Sequence, residues 1–301
     1  MAGSQERALR RRIRSVQSTK KITKAMELIA ASQIVRSLTR MTSNRPYREG
    51  MARLVVEAAR GDPEAASQLL GEPAERQAVA VLALVADRGL SGPYNSSVLR
   101  ATERVVAQLG AAGIGVRLFT IGRKAQSYFR FRHQPVEHAF TGMSERPSWS
   151  DARTVAAAVT APYTAGEVQQ VLLVSTRYRS AGNQAVETRQ LLPLPEPVAA
   201  TGSVGTPGEA TGYTLFEPGV QTLLRELAPR AVESEIFTAL LEGAASFFTA
   251  QQRAMAAASD NADELIRTLT RVMNRARQDA ITTEIMEIVG GAEALRVSKG
   301  A

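Results

Sequence analysis

Apolar residues recur at helical spacing through the first 60 residues of the chain. Pro46 is the only proline between residues 4 and 60, and no glycine occurs between Gly3 and Gly50. Most steps between successive apolar positions are three or four residues, the period of one helix face; these positions are Leu9, Ile13, Val16, Ile22, Met26, Ile29, Ile34, Leu38 and Met41. Because a helix of about 40 residues would be about 60 Å long, the pattern predicts a coiled coil or shaft over residues 1–60.

A second helical pattern occupies the end of the chain. It begins near Gly219, and Pro229 is expected at a helix start or kink. Its clearest part has the a and d spacing of a coiled coil with one phase discontinuity; the apolar positions are Leu265, Leu269, Val272, Ala276, Ile281, Ile285, Ile288, Ala292 and Leu295. We predict a second shaft helix over residues 216–301. Each apolar stripe is too narrow to be buried alone, so we expect the two terminal helices to pack as an antiparallel pair.

Between the two helical regions the apolar residues form short runs. Residues 78–86, AVAVLALVA, predict a buried strand. Further elements are expected in the order helix, strand, helix, strand, helix, strand, strand, over residues 96–109, 115–122, 123–131, 136–142, 149–163, 169–180 and 185–194. Ser150 or Asp151 is expected to cap the last of these helices. The alternation predicts an open α/β domain over residues 75–195, followed by a Pro- and Gly-rich linker over 196–215.

Basic residues are concentrated at the start of the chain. Residues 1–60 contain 14 Lys and Arg against 4 Asp and Glu, a net charge of +10, whereas the whole chain carries +8. The other 241 residues therefore sum to −2. The basic charge belongs to the first predicted helix, which indicates an acidic partner for that segment.

The composition excludes several kinds of chemistry. The chain has no cysteine, which excludes disulfides, thiolate zinc sites and cysteine nucleophiles. The longest apolar run, residues 78–86, is far shorter than the roughly 18 residues that span a membrane. The basic N-terminus lacks the apolar core of a secretory signal. We expect a soluble, cytoplasmic chain.

The motifs contain no catalytic set of residues. GAAGIG, residues 110–115, follows a predicted helix and precedes a strand, the reverse of the order that phosphate binding at a helix start requires. GLSGPYN, residues 89–95, lacks the G-K-[ST] of a P-loop. His133 and His138 have no third ligand nearby in sequence, so a metal site is not expected. We predict that the chain is not an enzyme by itself.

Residue types alone leave two other functions open. The basic first helix is compatible with a coiled-coil nucleic-acid-binding protein, although Tyr47 is the only aromatic residue in residues 1–60 that could stack on a base. An α/β enzyme with helical appendages is the other alternative, and it lacks a candidate site.

Several longer segments resemble the gamma subunit of F-type ATP synthase. The two most specific are RRRIRSVQSTKKITKAMELIAASQ, residues 10–33, and DNADELIRTLTRVMNRARQDAITTEIMEIVGGAEAL, residues 260–295. Between them DRGLSGPYN, LLPL and FEPG occur in the family's order. The resemblance covers most of the chain.

The resemblance implies an α/β domain plus long helices: an antiparallel coiled coil of the N- and C-terminal helices with a Rossmann-like α/β side domain. It implies a non-catalytic central rotor stalk, without a cofactor or metal, that couples H⁺ or Na⁺ flow to ATP synthesis or hydrolysis. The implied partners are the alpha, beta and epsilon subunits and the c-ring, with one copy of the chain per complex and no nucleic acid. The absence of a transit peptide and of a chloroplast-type insert implies a bacterial member, peripheral at the cytoplasmic face of the plasma membrane.

Three groups of contact residues are carried over from the family. The expected contacts to the beta subunit are Lys20, Lys21, Lys24, Met26, Arg277, Gln278 and Thr282. The residues expected to turn in an apolar bearing are Ile285, Ile288, Val289 and Leu295. Phe216 and Glu217 are expected in the foot that meets the c-ring and epsilon.

The chain also departs from the family's pattern. Phe247 and Phe248 stand where a Glu-His pair is usual, and Gln251 stands where an Arg is expected, which puts one rotor–stator contact in doubt. Ser91 and Pro93 replace common Cys and Gly.

Overall fold

The computed structural model describes residues 2–61, 76–194 and 219–299. The predicted linker over 196–215 lies outside the described residues. The chain divides into two compact units. The terminal unit comprises Met1–Ile29 and Gln252–Ala301, and the sheet unit comprises Ala30–Gln251. Two long helices, α1 (Ala2–Gly61) and α5 (Val220–Lys299), each contribute a segment to both units. Pro229 lies inside α5, which is continuous through it.

The sheet unit contains a five-stranded sheet with the order β3-β2-β1-β4-β5. Its strands are β1 (Ala78–Leu84), β2 (Gly115–Ile121), β3 (His138–Phe140), β4 (Gln170–Tyr178) and β5 (Gln184–Leu192). The first four are parallel, and β5 pairs antiparallel with β4. Crossover helices join the parallel strands, so the expected Rossmann-like α/β arrangement is confirmed.

Helices cover both faces of the sheet. One face packs against α2 (Tyr94–Ala111) and α3 (Arg123–Phe131), and the other packs against α4 (Trp149–Thr164) and the sheet-unit segments of α1 and α5. Successive residues of β1 face opposite cores, with Val81 on the α2 side and Leu82 on the α4 side. Because neither face meets water, the strand is apolar throughout.

A capping box starts α4 at Trp149, the expected first residue, but its N-cap lies two residues before the nearer expected cap. The N-cap is Ser148, whose hydroxyl accepts a hydrogen bond from the Asp151 N–H at 3.2 Å. The Asp151 carboxylate accepts in return from the Ser148 N–H at 2.7 Å. The expected caps, Ser150 and Asp151, were therefore wrong, because a carboxylate three residues after the cap closes a reciprocal pair.

Within the sheet unit α1 and α5 run antiparallel. The Asn44 amide donates to the Thr238 hydroxyl at 3.0 Å, and Arg48 lies 3.6 Å from Glu235. The partner number falls on α5 as the number rises on α1, which is the expected antiparallel pairing. Met51 of α1 continues the contact into the main core of the sheet unit.

The terminal unit is a second antiparallel helix pair. Lys20 Nζ lies 2.5 Å from Asp263 Oδ1, and the hydroxyls of Thr23 and Ser259 are 2.8 Å apart. The more buried positions of α1 follow a 4,3,4,3,4 spacing and are Leu9, Ile13, Val16, Lys20, Thr23 and Glu27. Those of α5 are Met255, Ser259, Ala262, Ile266, Leu269, Met273, Ala276 and Ala280.

This seam corrects the apolar stripes expected from the sequence. Ile22 is 60% exposed and Ile29 is 59% exposed, so neither packs in the helix pair. On α5, Leu265 and Val272 are also exposed, although Leu269 and Ala276 do lie on the buried face. The stripe expected on α1 departs from the observed seam after Val16, because an apolar pattern leaves out the polar seam positions Lys20 and Thr23.

Candidate functional site

The carboxyl end of the central strand β1 is covered by α5. In open α/β sheets, ligands bind at the carboxyl ends of the strands, where the strand order reverses. Here a side-chain carbon added at Gly243 would lie only 2.8 Å from Leu84 of β1. Next to it, Phe247 of α5 packs in a cluster with Tyr94 and Ala86. The position that holds a ligand in other folds of this class is filled by packed side chains here.

Three of the five residues that depart from the family's pattern, Phe247, Phe248 and Gln251, lie in or beside this contact. Phe247 is 1% exposed, its ring is 5.8 Å from Tyr94, and Phe248 and Gln251 are also buried. Burial raises the pKa of the Tyr94 hydroxyl above its ordinary value. All three positions lie in the interior of the sheet unit.

A buried carboxylate ties together the loops at this edge of the sheet. Asp87 follows β1 and accepts hydrogen bonds from the Arg123 N–H at 3.0 Å, the Gly142 N–H at 3.0 Å and the Ser144 hydroxyl at 2.7 Å. Burial alone would raise the pKa of Asp87, but the hydrogen bonds from Ser144, Gly142 and Arg123 outweigh it and hold the pKa below its ordinary value. These donors come from the first residue of α3 and from the loop after β3, so Asp87 anchors both to the end of β1.

Replacing Asp87 with asparagine is expected to destabilise the sheet unit by about 2 kcal/mol, since hydrogen bonds to a charged group are worth about 1.5–3 kcal/mol. The pKa of Asp87 is lower in the folded than in the unfolded state. Its contribution is therefore fully present above the unfolded pKa and is lost as pH falls through the folded pKa. Urea unfolding of both proteins from pH 7 to pH 3 measures this. A difference in stability that stays constant over that range would contradict the role of the charge.

The described ranges hold no candidate metal site. No group of three or more His, Cys, Asp or Glu side chains within them could hold a metal ion. His133 and His138 are exposed; His133 lies in the turn after α3, and His138 is the first residue of β3. Within the same ranges, none of the helices combines the length and the apolar character that a membrane span requires.

The four predicted contact residues of α1 lie in the terminal unit. Lys20 is paired with Asp263 in the helix seam, and Lys24 lies 3.0 Å from Glu27. Lys21 is exposed and Met26 is half-buried. Lys21 thus presents its charge to solvent, whereas Lys20 and Lys24 share theirs with carboxylates of this chain.

An exposed apolar group on α1 was missed by the sequence reasoning. Ile22 and Ile29, seven residues apart on α1, are each about three-fifths exposed. Their helical spacing was taken as a signal of burial within the chain. The structure leaves them uncovered, which indicates an apolar surface available to another protein.

The last described turns of α5 are exposed on every side. All side chains from 281 to 292 are exposed, including Ile285 at 53%, Ile288 at 66% and Val289 at 58%. Arg277, Gln278 and Thr282 are exposed just before or within this stretch; the side chain of Leu295 lies outside the described residues, as do Phe216 and Glu217. A helix with this many bare apolar side chains requires a covering surface.

Two solved structures of mitochondrial ATP synthase contain chains with a similar fold. A chain in the structure of Euglena gracilis mitochondrial ATP synthase containing OSCP, F1 and the c-ring matches with a TM-score of 0.68 and 16% identity, over 99% of this chain and 97% of that one. A chain of the Tetrahymena thermophila mitochondrial ATP synthase central stalk and c-ring gives a TM-score of 0.61 and 20% identity, over 79% of this chain and 99% of that one. These similarities support the fold.

Sequence relatives match over almost the whole chain. The ATP synthase gamma chain of Parafrankia sp. is 47% identical over 98% of this chain and 99% of its own length. That of Frankia casuarinae is 46% identical over 98% and 99%. A family model described as ATP synthase matches residues 5–295. The chain belongs to the ATP synthase gamma chain family.

Proposed function

We propose that this chain turns inside a ring of alternating alpha and beta subunits and drives the beta sites through their catalytic states in sequence. It is the central-stalk subunit of an F-type ATP synthase and is not catalytic itself. One copy serves each complex, and H⁺ or Na⁺ flow through the c-ring supplies the torque. The observation that carries the proposal is the bare apolar end of α5.

The apolar end of α5 suits a rotating bearing. Apolar contact is non-directional, so Ile285, Ile288 and Val289 can turn inside an apolar sleeve without one angle trapping them. Hydrogen-bonded side chains at these positions would favour particular angles. Leu295 extends the same bearing in this proposal.

The cations of α1 suit a contact that is made and released at each step. Lys20, Lys21 and Lys24, with Met26, face an acidic lever of the beta subunit in this proposal. A cation about 4 Å from a carboxylate contributes about 1–4 kcal/mol, depending on screening. Lys20 pairs with Asp263 and Lys24 pairs with Glu27, which weakens the electrostatic attraction of both lysines to the lever carboxylates. Lys21 is therefore the strongest of the three as a contact.

A foot of the rotor meets the c-ring in this proposal. Phe216 and Glu217 belong to that foot, and epsilon binds beside them. The complex makes the chain peripheral to the cytoplasmic face of the bacterial plasma membrane.

Reconstitution tests the proposed role directly. The chain is mixed with alpha and beta subunits of the same source, and ATPase activity and stoichiometry are measured with and without it. We expect one copy per three alpha–beta pairs and raised activity. A folded chain that does not assemble would contradict the proposal, and duplex DNA binding that survives physiological salt would favour the nucleic-acid alternative.

Replacing Arg277 and Gln278 together with alanine is expected to slow ATPase turnover of the assembled head about tenfold, because a charged hydrogen bond contributes about 1.5–3 kcal/mol. Asn274 and Arg275 are exposed one turn earlier on the same helix, and their double alanine variant is the matched control. Turnover is measured on purified complexes of equal subunit content. Equal turnover in the two variants would show that Arg277 and Gln278 do not contact the beta subunit.

A further inference from the structure

A partly buried arginine joins the edge strand of the sheet to α5 within the sheet unit. Arg189 of β5 donates from Nη2 to Ser175 Oγ of β4 at 3.1 Å and to Glu242 Oε2 of α5 at 3.3 Å. Its Nη1 lies 3.8 Å from Glu235 Oε2. The Arg189 side chain is 16% exposed and that of Glu242 is 5% exposed. One guanidinium therefore contacts both strands at this edge of the sheet and two positions on the long helix.

The spacing of the two carboxylates places the arginine across two turns of α5. Glu235 and Glu242 are seven residues apart, which puts them on one face of the helix about 10 Å apart along its axis. Glu235 also forms an ion pair with Arg48 of α1, whose Nε lies 3.6 Å from Glu235 Oε1. The cluster of Arg48, Ser175, Arg189, Glu235 and Glu242 is called the edge clamp below. It connects the sheet to both long helices.

The edge clamp carries a desolvation penalty, because its charged groups are partly removed from water. Burial raises the pKa of Glu242 above its ordinary value, and the charges of Arg189, Arg177 and Arg48 offset this only in part. Replacing a buried ion pair with packed apolar side chains of similar volume is often neutral or stabilising. Packing alone would hold the sheet to the helix without this cost, so stability does not account for the clamp.

Directional contacts do something that apolar contacts do not. The Arg189 guanidinium, which donates two hydrogen bonds from Nη2 and faces Glu235 with Nη1, sets one register and one rotation of α5 against the sheet, whereas apolar contact is non-directional. A rotor transmits torque between its ends, and any slip between its parts uncouples them.

We infer that Arg189 is a positioning residue that locks the α/β domain to the rotor helices, so that the domain and the helices turn as one body under load. The inference rests on the central-stalk role. It concerns coupling rather than assembly or unloaded hydrolysis.

The test replaces the clamp's central pair with apolar side chains, as Arg189→Met with Glu242→Leu, in the complete ATP synthase in inverted membrane vesicles. We expect an unfolding midpoint of the isolated chain no lower than wild type and unchanged ATP hydrolysis by the detached head. Ions pumped per ATP hydrolysed should fall about fivefold. A factor of five corresponds to the loss of about 1 kcal/mol of interaction between two contacting residues. Arg153 and Glu233 also link the side domain to α5, at 3.9 Å, but Arg153 is 67% exposed. Arg153→Met with Glu233→Leu is therefore the matched control and should pump as wild type does.

A second variant keeps the inference testable if the first fails to assemble. Arg189→Lys retains the charge but not the fork, so it should pump fewer ions per ATP than wild type and more than Arg189→Gln. Wild-type pumping per ATP in these variants would overturn the inference. A loss of pumping only in proportion to lost stability or lost assembly would also overturn it. If the wild-type complex does not pump, the proposed function fails. If the wild-type complex pumps and the variants pump as many ions per ATP, the inference alone fails.

Discussion

Replacing Phe247 with alanine is expected to lower the free energy of unfolding by about 3–5 kcal/mol. The side chain is 1% exposed, and its ring meets Tyr94 at 5.8 Å and Phe248 at 5.3 Å, both edge to face. Truncation leaves a cavity where α5 lies against the carboxyl end of β1, because the neighbouring backbone cannot collapse into it. Urea unfolding of the isolated chain, followed by circular dichroism, measures the loss.

Phe131→Ala is the matched control for this prediction. Phe131 is 79% exposed at the end of α3, so the same truncation should change stability by no more than about 0.5 kcal/mol. Similar losses in the two variants would show that the Phe247 cluster does not hold α5 to the sheet. A cavity in the Phe247 variant that binds benzene would support the packing described here.

The strands of the sheet were predictable because one physical cause sets their pattern. Helices cover both faces of β1, so every residue of AVAVLALVA had to be apolar, and its short length distinguished it from a helix. The short connection around Asn183 joins β4 and β5, which pair antiparallel. The α4 cap was misplaced because Ser148, Ser150 and Asp151 are all good candidates, and only the reciprocal bond between Ser148 and Asp151 decides among them.

The helix pair of the terminal unit was only partly predictable. Its antiparallel packing followed from two narrow stripes at the chain ends, but its seam includes Lys20 and Thr23, which an apolar pattern cannot detect. Ile22 and Ile29 compete with the true seam in sequence, because helical spacing alone does not distinguish an exposed apolar side chain from a buried one.

Some of the singled-out residues have their partners within this chain, and the others are predicted to contact a second chain. Phe247 and Phe248 looked like a lost surface contact, but their partner Tyr94 is far away in sequence, and only the fold brings them together. The predicted beta contacts, the bearing and the foot stay predictions, because each of them needs a second chain to complete it.

Replacing Met26 with lysine is expected to lower the number of ions pumped per ATP while leaving assembly intact. Met26 is half-buried on α1 in the terminal unit, close to Lys24, which pairs with Glu27 at 3.0 Å. An added ammonium about 4 Å from a lever carboxylate strengthens the contact by about 1–4 kcal/mol. Since each ~1.4 kcal/mol slows release about tenfold, a contact that must be broken at every step would hold the rotor back. ATP-driven pumping and hydrolysis, measured on the same vesicles, give the ratio.

Two variants separate placement from charge and volume. Met26→Leu keeps the side-chain volume without a charge and should pump as wild type does. Leu28→Lys puts the same cation on α1 at a position that is 62% exposed and two residues away, where it points about 200° around the helix from Met26. If Leu28→Lys uncouples as strongly as Met26→Lys, the effect is one of added charge anywhere on α1. If neither does, Met26 does not face the lever, and the acidic partner of this helix lies along another face.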